Sequence, residues 1–379
     1  MGKVKHLLGI SGGKDSAALA IYLNDKHPEL DLTYYFCDTG KELDETYQLI
    51  ENIEIYLGKK IAKLEPADAV KSDENPFDHY YKAYRGYLPS SVARWCTKKM
   101  KLEPFERFVG DDPVVSYVGI RGDEDREGYI SKKQNIQSIF PFRRNIWSED
   151  VIRKVLSNTN REHLMDLYSS YLSGSELDSV SELVSEKLIL ELKNPLQNKK
   201  VIHNKLNSIL DKGIAQFNRV TFDYLKDTEY PLAQESDFPL LENEEVLVKK
   251  DIFRTLEESG VGVPEYYHEV EYEVDGEKGT YARSRSGCFF CFFQQKIEWV
   301  WLHEQHPKRF KEAMEYENEK EGFTWNQNES LKEIIDPKRV EQIKRDHLNK
   351  LKANSNNKDS NKLMDILDDG DAGCTACFV

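Results

Sequence analysis

Residues 7–16, Leu7-Leu8-Gly9-Ile10-Ser11-Gly12-Gly13-Lys14-Asp15-Ser16, leave this chain few folds to choose from. An apolar run stops abruptly in small residues, and helical periodicity starts at once through Ala17-Ala18-Leu19-Ala20-Ile21-Tyr22-Leu23. That order is strand, tight loop, helix. The glycines let backbone approach a ligand, and the free N–H groups at the helix start, with the dipole behind them, favour a phosphate. Ser11 and Ser16 add hydroxyls and Lys14 adds a positive charge. Asp15 is placed to hold Mg2+ against phosphates. The G-x-x-x-x-G-K-[ST] spacing of a Walker A loop is absent.

The pattern continues as a parallel α/β sheet. Strands are expected over 4–10, 32–37, near 60–64 and over 114–120. Helices are expected over 14–26, 44–57 and 97–109. Residues 66–93 look irregular. Ligands of such sheets lie beyond the strands' carboxyl ends. Asp38-Thr39-Gly40 and Arg121-Gly122-Asp123-Glu124-Asp125-Arg126 both follow strands there. Asp38 meets a ribose or Mg2+, or caps the next helix. Arg121, assisted by Arg126, clamps phosphate bidentately, or pairs with Asp123 or Glu124. Residues 148–245 read as a helical insertion, with patterns over 176–192 and 198–212, serving packing or a partner. A helix over 248–259, a hairpin turning at Asp275-Gly276, and helices over 296–304 and 308–317 follow. Residues 352–373, rich in Asn, Asp and Lys, read as mobile.

Net charge is −14. Most of the surface repels a nucleic-acid backbone, so DNA would need a local basic patch or a partner protein. A mean hydropathy of −0.66 and the lack of an eighteen-residue apolar run give no membrane span. No signal-peptide pattern opens the sequence, and a cytoplasmic location is expected.

Six cysteines then favour metal or redox chemistry over structural disulfides. Cys288-x-x-Cys291 with the distant Cys96 makes an iron–sulfur ligand set of the 4Fe–4S kind with one iron open. Arg283, Arg285, Lys98 and Lys99 would stabilise the thiolates. Zinc is the alternative, with His303 and His306 downstream, and so are buried apolar thiols. Cys374-x-x-Cys377 on the tail reads as a mobile dithiol, a fourth cluster ligand, or an idle end; Cys37 reads as packing.

Ser11-Gly12-Gly13-Lys14-Asp15-Ser16, Asp38-Thr39-Gly40, Trp95-Cys96-Thr97-Lys98-Lys99, Gly119-Ile120-Arg121 and Ser286-Gly287-Cys288 to Cys291, in this order, resemble the phosphoadenylyl-sulfate (PAPS) reductase-like branch of the PP-loop ATP pyrophosphatases. The resemblance implies an adenine nucleotide alpha hydrolase-like fold. It makes 1–147 the PP-loop nucleotide-binding domain and 246–335 the CxxC region completing the core, with 336–379 a helical end and tail. It further implies ATP held by Ser11 to Ser16, Asp38 and Arg121, with Lys14, Asp15 and Arg121 catalytic. Within the branch, the intact Lys14-Asp15 pair looks like the Dnd- and Ssp-type DNA phosphorothioation and phage-defence proteins. Those adenylate an acceptor oxygen, release pyrophosphate, and replace the oxygen with sulfur. Their likeness implies a cysteine desulfurase-like sulfur donor and partner proteins of a modification or defence system. The alternatives are a sulfonucleotide reductase and an ATP-binding sensor or assembly subunit. Against the reductase, Cys96 has no neighbouring cysteine and no Glu-Cys-Gly ends the chain.

Overall fold

Alternation of apolar strands with amphipathic helices produces the sheet that the first sixty residues predict. The computed structural model describes residues 3–70, 73–124, 131, 133–191, 193–327 and 329–356, with side chains as far as 353. The strands β1 (Lys5–Gly9), β2 (Leu32–Cys37), β3 (Ala62–Leu64), β4 (Val114–Tyr117) and β5 (Ile136–Ile139) form one sheet in the order β3-β2-β1-β4-β5. Its ladders are parallel, with Lys5 opposite Val114, Tyr35 opposite Ala62 and Val114 opposite Ile136. Helix α1 (Lys14–Lys26) has Asp15 in its first turn and Lys26 in its last, each matching the helix dipole. Helix α2 (Asp44–Leu57) ends where Gly58 takes a left-handed φ of 59° and its N–H meets the Ile55 carbonyl.

Several elements differ from the sequence expectation. The stretch 66–93 contains α3 (Pro76–Ala83), whose Asn75 cap accepts the Asp78 N–H and whose proline opens the helix. The helix expected from Thr97 starts earlier, as α4 (Trp95–Thr97), a π turn (Lys98–Leu102) and α5 (Glu103–Val109). Strand β4 stops at Tyr117, since Ile120 N–H closes a tight turn onto the Val118 carbonyl. Strand β5 was not expected: its Ile-Gln-Ser-Ile sequence is half polar, yet buried, because Gln137 Oε1 accepts the Leu232 N–H at 3.1 Å.

The described chain falls into two compact units. The first comprises Met1–Gly9, Ala18–Thr33 and Val109–Ile252. It carries α6 (Glu149–Val155), α7 (Arg161–Ser169), α8 (Gly174–Ser185), α9 (Pro195–Leu210), α10 (Ile214–Leu225) and α11 (Lys249–Glu258), the last crossing into the second unit. Helix α8 ends seven residues short of the expected 192, and α9 begins at Pro195 behind an Asn194 cap. Trp147 Nε1 donates to Asn218 of α10 at 2.9 Å, so the buried indole N–H is satisfied from that helix.

The second unit comprises Ile10–Ala17, Tyr34–Phe108 and Phe253–Val379. It holds the hairpin β6 (Val270–Val274) and β7 (Glu277–Tyr281), then α12 (Lys296–Gln305), α13 (Pro307–Glu315), α14 (Leu331–Ile334) and α15 (Pro337–Asn356). Its core is aromatic: Phe77 and Phe290 lie 4.4 Å apart by ring centroids, and Phe290 stacks on Trp325 at 4.7 Å. Residues 352–356, expected as mobile, are helical; the rest of that stretch, with Cys374 and Cys377, lies outside the described residues. No helix among the described residues is long and apolar enough to cross a membrane.

Candidate active site

The loop between β1 and α1 is shaped by its own hydroxyls. Ser11 N–H donates to Ser16 Oγ at 3.1 Å, and Ser16 Oγ donates to the Gly13 carbonyl at 3.1 Å. Gly12 has φ +74°, and a Cβ there would stand 2.3 Å from Thr46 Cγ2; at Gly13 it would stand 2.6 Å from Ser286 Oγ. Gly12 therefore needs glycine for conformation and space, while a side chain at Gly13 would force Ser286 to move.

Two adjacent tyrosines brace this loop, and sequence reasoning assigned them no role. Tyr266 OH donates to the Gly12 carbonyl at 3.1 Å, and Tyr267 OH accepts the Lys14 N–H at 3.4 Å. Lys14 Nζ lies 4.6 Å from the Tyr267 ring centroid and 3.3 Å from Asp15 Oδ2, with both charged side chains buried. Burial, then the Asp15 charge, pushes the Tyr267 phenol up to about 12, so it stays protonated. The only sequence signal was a Tyr-Tyr pair after a Gly-Val-Pro turn, which does not reveal what the pair touches.

Asp38 is engaged at both carboxylate oxygens. Its Oδ1 accepts the Gly40 N–H at 2.7 Å and Tyr47 OH at 2.9 Å, and Oδ2 lies 2.8 Å from Lys63 Nζ. Burial would raise this carboxyl, but Lys63 and the Gly40 amide outweigh it and hold it below its ordinary value. Its neighbour Glu42, 3% exposed, is pushed up to about 7 by burial and then by the Asp38 charge. Glu42 accepts from Thr39 Oγ1 at 2.7 Å and Tyr47 OH at 3.0 Å.

Cys96, Cys288 and Cys291 line one pocket, together with Thr39, Met100 and Phe293. Thr39 Oγ1 is 3.0 Å from Cys288 Sγ. Burial raises both the Cys288 and Cys291 thiols; the Phe293 amide and then Arg285, Lys101 and Arg283 act against it at Cys291. Arg283 is 3% exposed and donates to the Cys288 carbonyl at 3.1 Å; among the described residues its Nε and Nη1 have no hydrogen-bond partner. Among the described residues, no three His, Cys, Asp or Glu side chains meet closely enough to share a metal ion. His303 and His306, considered for zinc, do not line this pocket; His306 faces Glu45 at 3.7 Å. Cys37 is buried, its thiol pushed up to about 12, as packing predicts.

In the first unit, Arg121 is 3% exposed and doubly paired: Nε meets Asp123 at 2.9 Å and Nη1 meets Glu124 at 2.5 Å. Both carboxylates that the sequence offered are taken. Arg126 lies outside the described residues.

Residues 5–152 match the sequence model of the phosphoadenosine phosphosulfate reductase domain, so this stretch is similar to that family. The uncharacterized protein MJ0066 of Methanocaldococcus jannaschii is 28% identical over 226 residues, covering 55% of this chain and 45% of that protein. The tRNA-specific 2-thiouridylase MnmA of Actinobacillus succinogenes is 24% identical over 172 residues, covering 37% of this chain and 43% of that protein. The chain spans less than half the length of either relative.

Proposed function

From a PAPS reductase-like domain at residues 5–152, we propose that this chain cleaves ATP between its α- and β-phosphates and uses the adenylate to exchange an acceptor oxygen for sulfur. One observation carries the reading: segment 283–291 touches the phosphate loop through Ser286 and bears two of the three pocket cysteines. Activation and sulfur chemistry thus share one piece of backbone.

In the first step the acceptor oxygen attacks the α-phosphorus and the bond to pyrophosphate breaks. Negative charge grows on the leaving group. The loop amides, held by the Ser11–Ser16 hydroxyls, and Lys14 are arranged in advance to stabilise it. Asp15 would hold Mg2+ there. In the second step a sulfur nucleophile attacks the acceptor and AMP leaves with the original oxygen. Cys96, Cys288 and Cys291, which line one pocket, would be the ligands of a 4Fe–4S cluster, the set that the resemblance implies. When bound, the cluster would supply a place to keep sulfur reduced. Asp38 shapes the loop after β2 through Gly40, Tyr47 and Lys63, and would meet a ribose or Mg2+ through Oδ2, which faces Lys63. Arg121 enters only where phosphate replaces a carboxylate at its guanidinium.

The acceptor we favour is a DNA phosphate oxygen in a phosphorothioation or phage-defence system, fed by a cysteine desulfurase-like donor and partner proteins. The family match also supports a sulfonucleotide reductase; sulfite release from PAPS with a thiol donor would establish that reading instead. The test is anaerobic incubation with ATP and Mg2+, separating AMP plus pyrophosphate from ADP plus phosphate. AMP and pyrophosphate are expected, falling about 100-fold or more in Lys14→Ala. ADP as product would overturn the proposal.

A further inference from the structure

Acidic residues number 67 in 379, yet two of the longer acid-free stretches meet at the cysteine pocket. Residues 79–102 carry six Lys and Arg and no Asp or Glu; residues 278–297 carry four and none. Far apart in sequence, both stretches line the cysteine pocket, the first through Pro89, Thr97 and Lys101, the second through Gly287 and Phe293. In a chain of net charge −14, two such stretches at one pocket lower the local repulsion that a polyanion meets.

The pocket also presents a flat ring. Phe293 is partly exposed and has the Arg94 guanidinium 5.0 Å and the Arg285 guanidinium 5.6 Å from its centroid. Tyr87, in the first acid-free stretch with Arg94 and outside the pocket lining, is 40% exposed. Arg85, Arg94 and Lys98 are exposed, and among the described residues none of them is within ion-pair distance of a carboxylate. Cations for phosphates beside rings for bases are what a single-stranded nucleic acid requires. A duplex hides its base faces, and an acidic peptide has no use for the rings.

We propose that Phe293 at the cysteine pocket, with Arg94 and Arg285 against its ring and the exposed Arg85 and Lys98 of the first acid-free stretch, forms a docking surface for a single-stranded nucleic-acid segment. This names the substrate class for the sulfur chemistry above and rests on that reading for its purpose, but not for its measurement. The test is fluorescence anisotropy of the full chain with a labelled mixed-sequence single strand of about 12 nucleotides, without ATP. Binding is expected to weaken with salt at a log–log slope of about −2, for three phosphate contacts. Arg85→Glu with Arg94→Glu should weaken it about tenfold or more while ATP cleavage is unchanged. Phe293→Ala should weaken it about tenfold, with Phe293→Tyr restoring it. Arg85→Gln with Arg94→Gln, checked for an unaltered melting temperature, guards against misfolding and should give an intermediate loss. Equal affinity for the matching duplex, equal competition by poly-glutamate, or full binding by the charge variants would each overturn the surface. A chain that cleaves ATP to AMP but binds no strand loses only this inference. One that binds the strand but cleaves no ATP loses the proposed function and keeps the surface.

Discussion

Glu42 is the residue whose chemistry depends most on its surroundings. It stands beside Asp38 inside the loop after β2, and its carboxyl is pushed up to about 7 against an ordinary 4.5. Between those values the folded chain holds a proton that the unfolded chain has released. Stability from this group is therefore present at acidic pH and falls as pH rises from 4.5 through 7. Glu42→Gln keeps the shape and removes the titration. The variant should be more stable than the parent above pH 7, by on the order of 3 kcal/mol, with the gap closing towards pH 4.5. Denaturant melts across that range measure it; a gap that does not change with pH would refute the assignment. The sequence offered Asp38 for this loop and passed over Glu42, because composition does not say which of two nearby acids will be enclosed.

Among the elements, α15 and the β6–β7 hairpin show how a contact between distant segments acquires a pH dependence. Tyr272 OH of β6 lies 2.9 Å from His347 Nδ1 and donates to the Lys344 carbonyl at 3.1 Å. Burial, with the Lys350 charge adding to it, holds His347 below its ordinary 6.5. The unfolded chain binds a proton there that the folded chain refuses, so the contact is fully stable above 6.5 and weakens as pH falls below it. Amide exchange over 270–281 and 337–353 should quicken below pH 6.5 relative to the rest of the chain, and His347→Gln should abolish the difference. The hairpin was legible in alternating residues around Asp275-Gly276, and it lies where expected. Its partner helix was legible only as a helical end, since periodicity identifies an apolar face and not what covers it.

At the scale of the molecule, the second unit is held together by rings from remote parts of the chain. Phe290, 1% exposed, contacts Phe77, Phe289, Tyr316 and Trp325, with centroids 4.4–5.2 Å away. Phe290→Ala should cost about 3–5 kcal/mol by calorimetry. Ile189→Ser, on an exposed stretch of the first unit, should stay within about 0.5 kcal/mol. A small loss at Phe290 would mean the aromatic cluster is not the core.

By itself the sequence determined the strand–loop–helix start, the parallel α/β class and the glycines of the β1–α1 loop. Those follow from backbone rules acting over a few residues: alternation, 3.6-residue periodicity and the space a Cβ demands. It also marked Cys96, Cys288 and Cys291, but only the tertiary structure brought them to one pocket. The structure alone decided that Asp38 spends its acceptors on Gly40, Tyr47 and Lys63, that Arg121 is neutralised twice, and that Tyr266 and Tyr267 brace the loop. Burial and partner identity come from segments up to about 250 residues away, and no local pattern encodes which of them arrives.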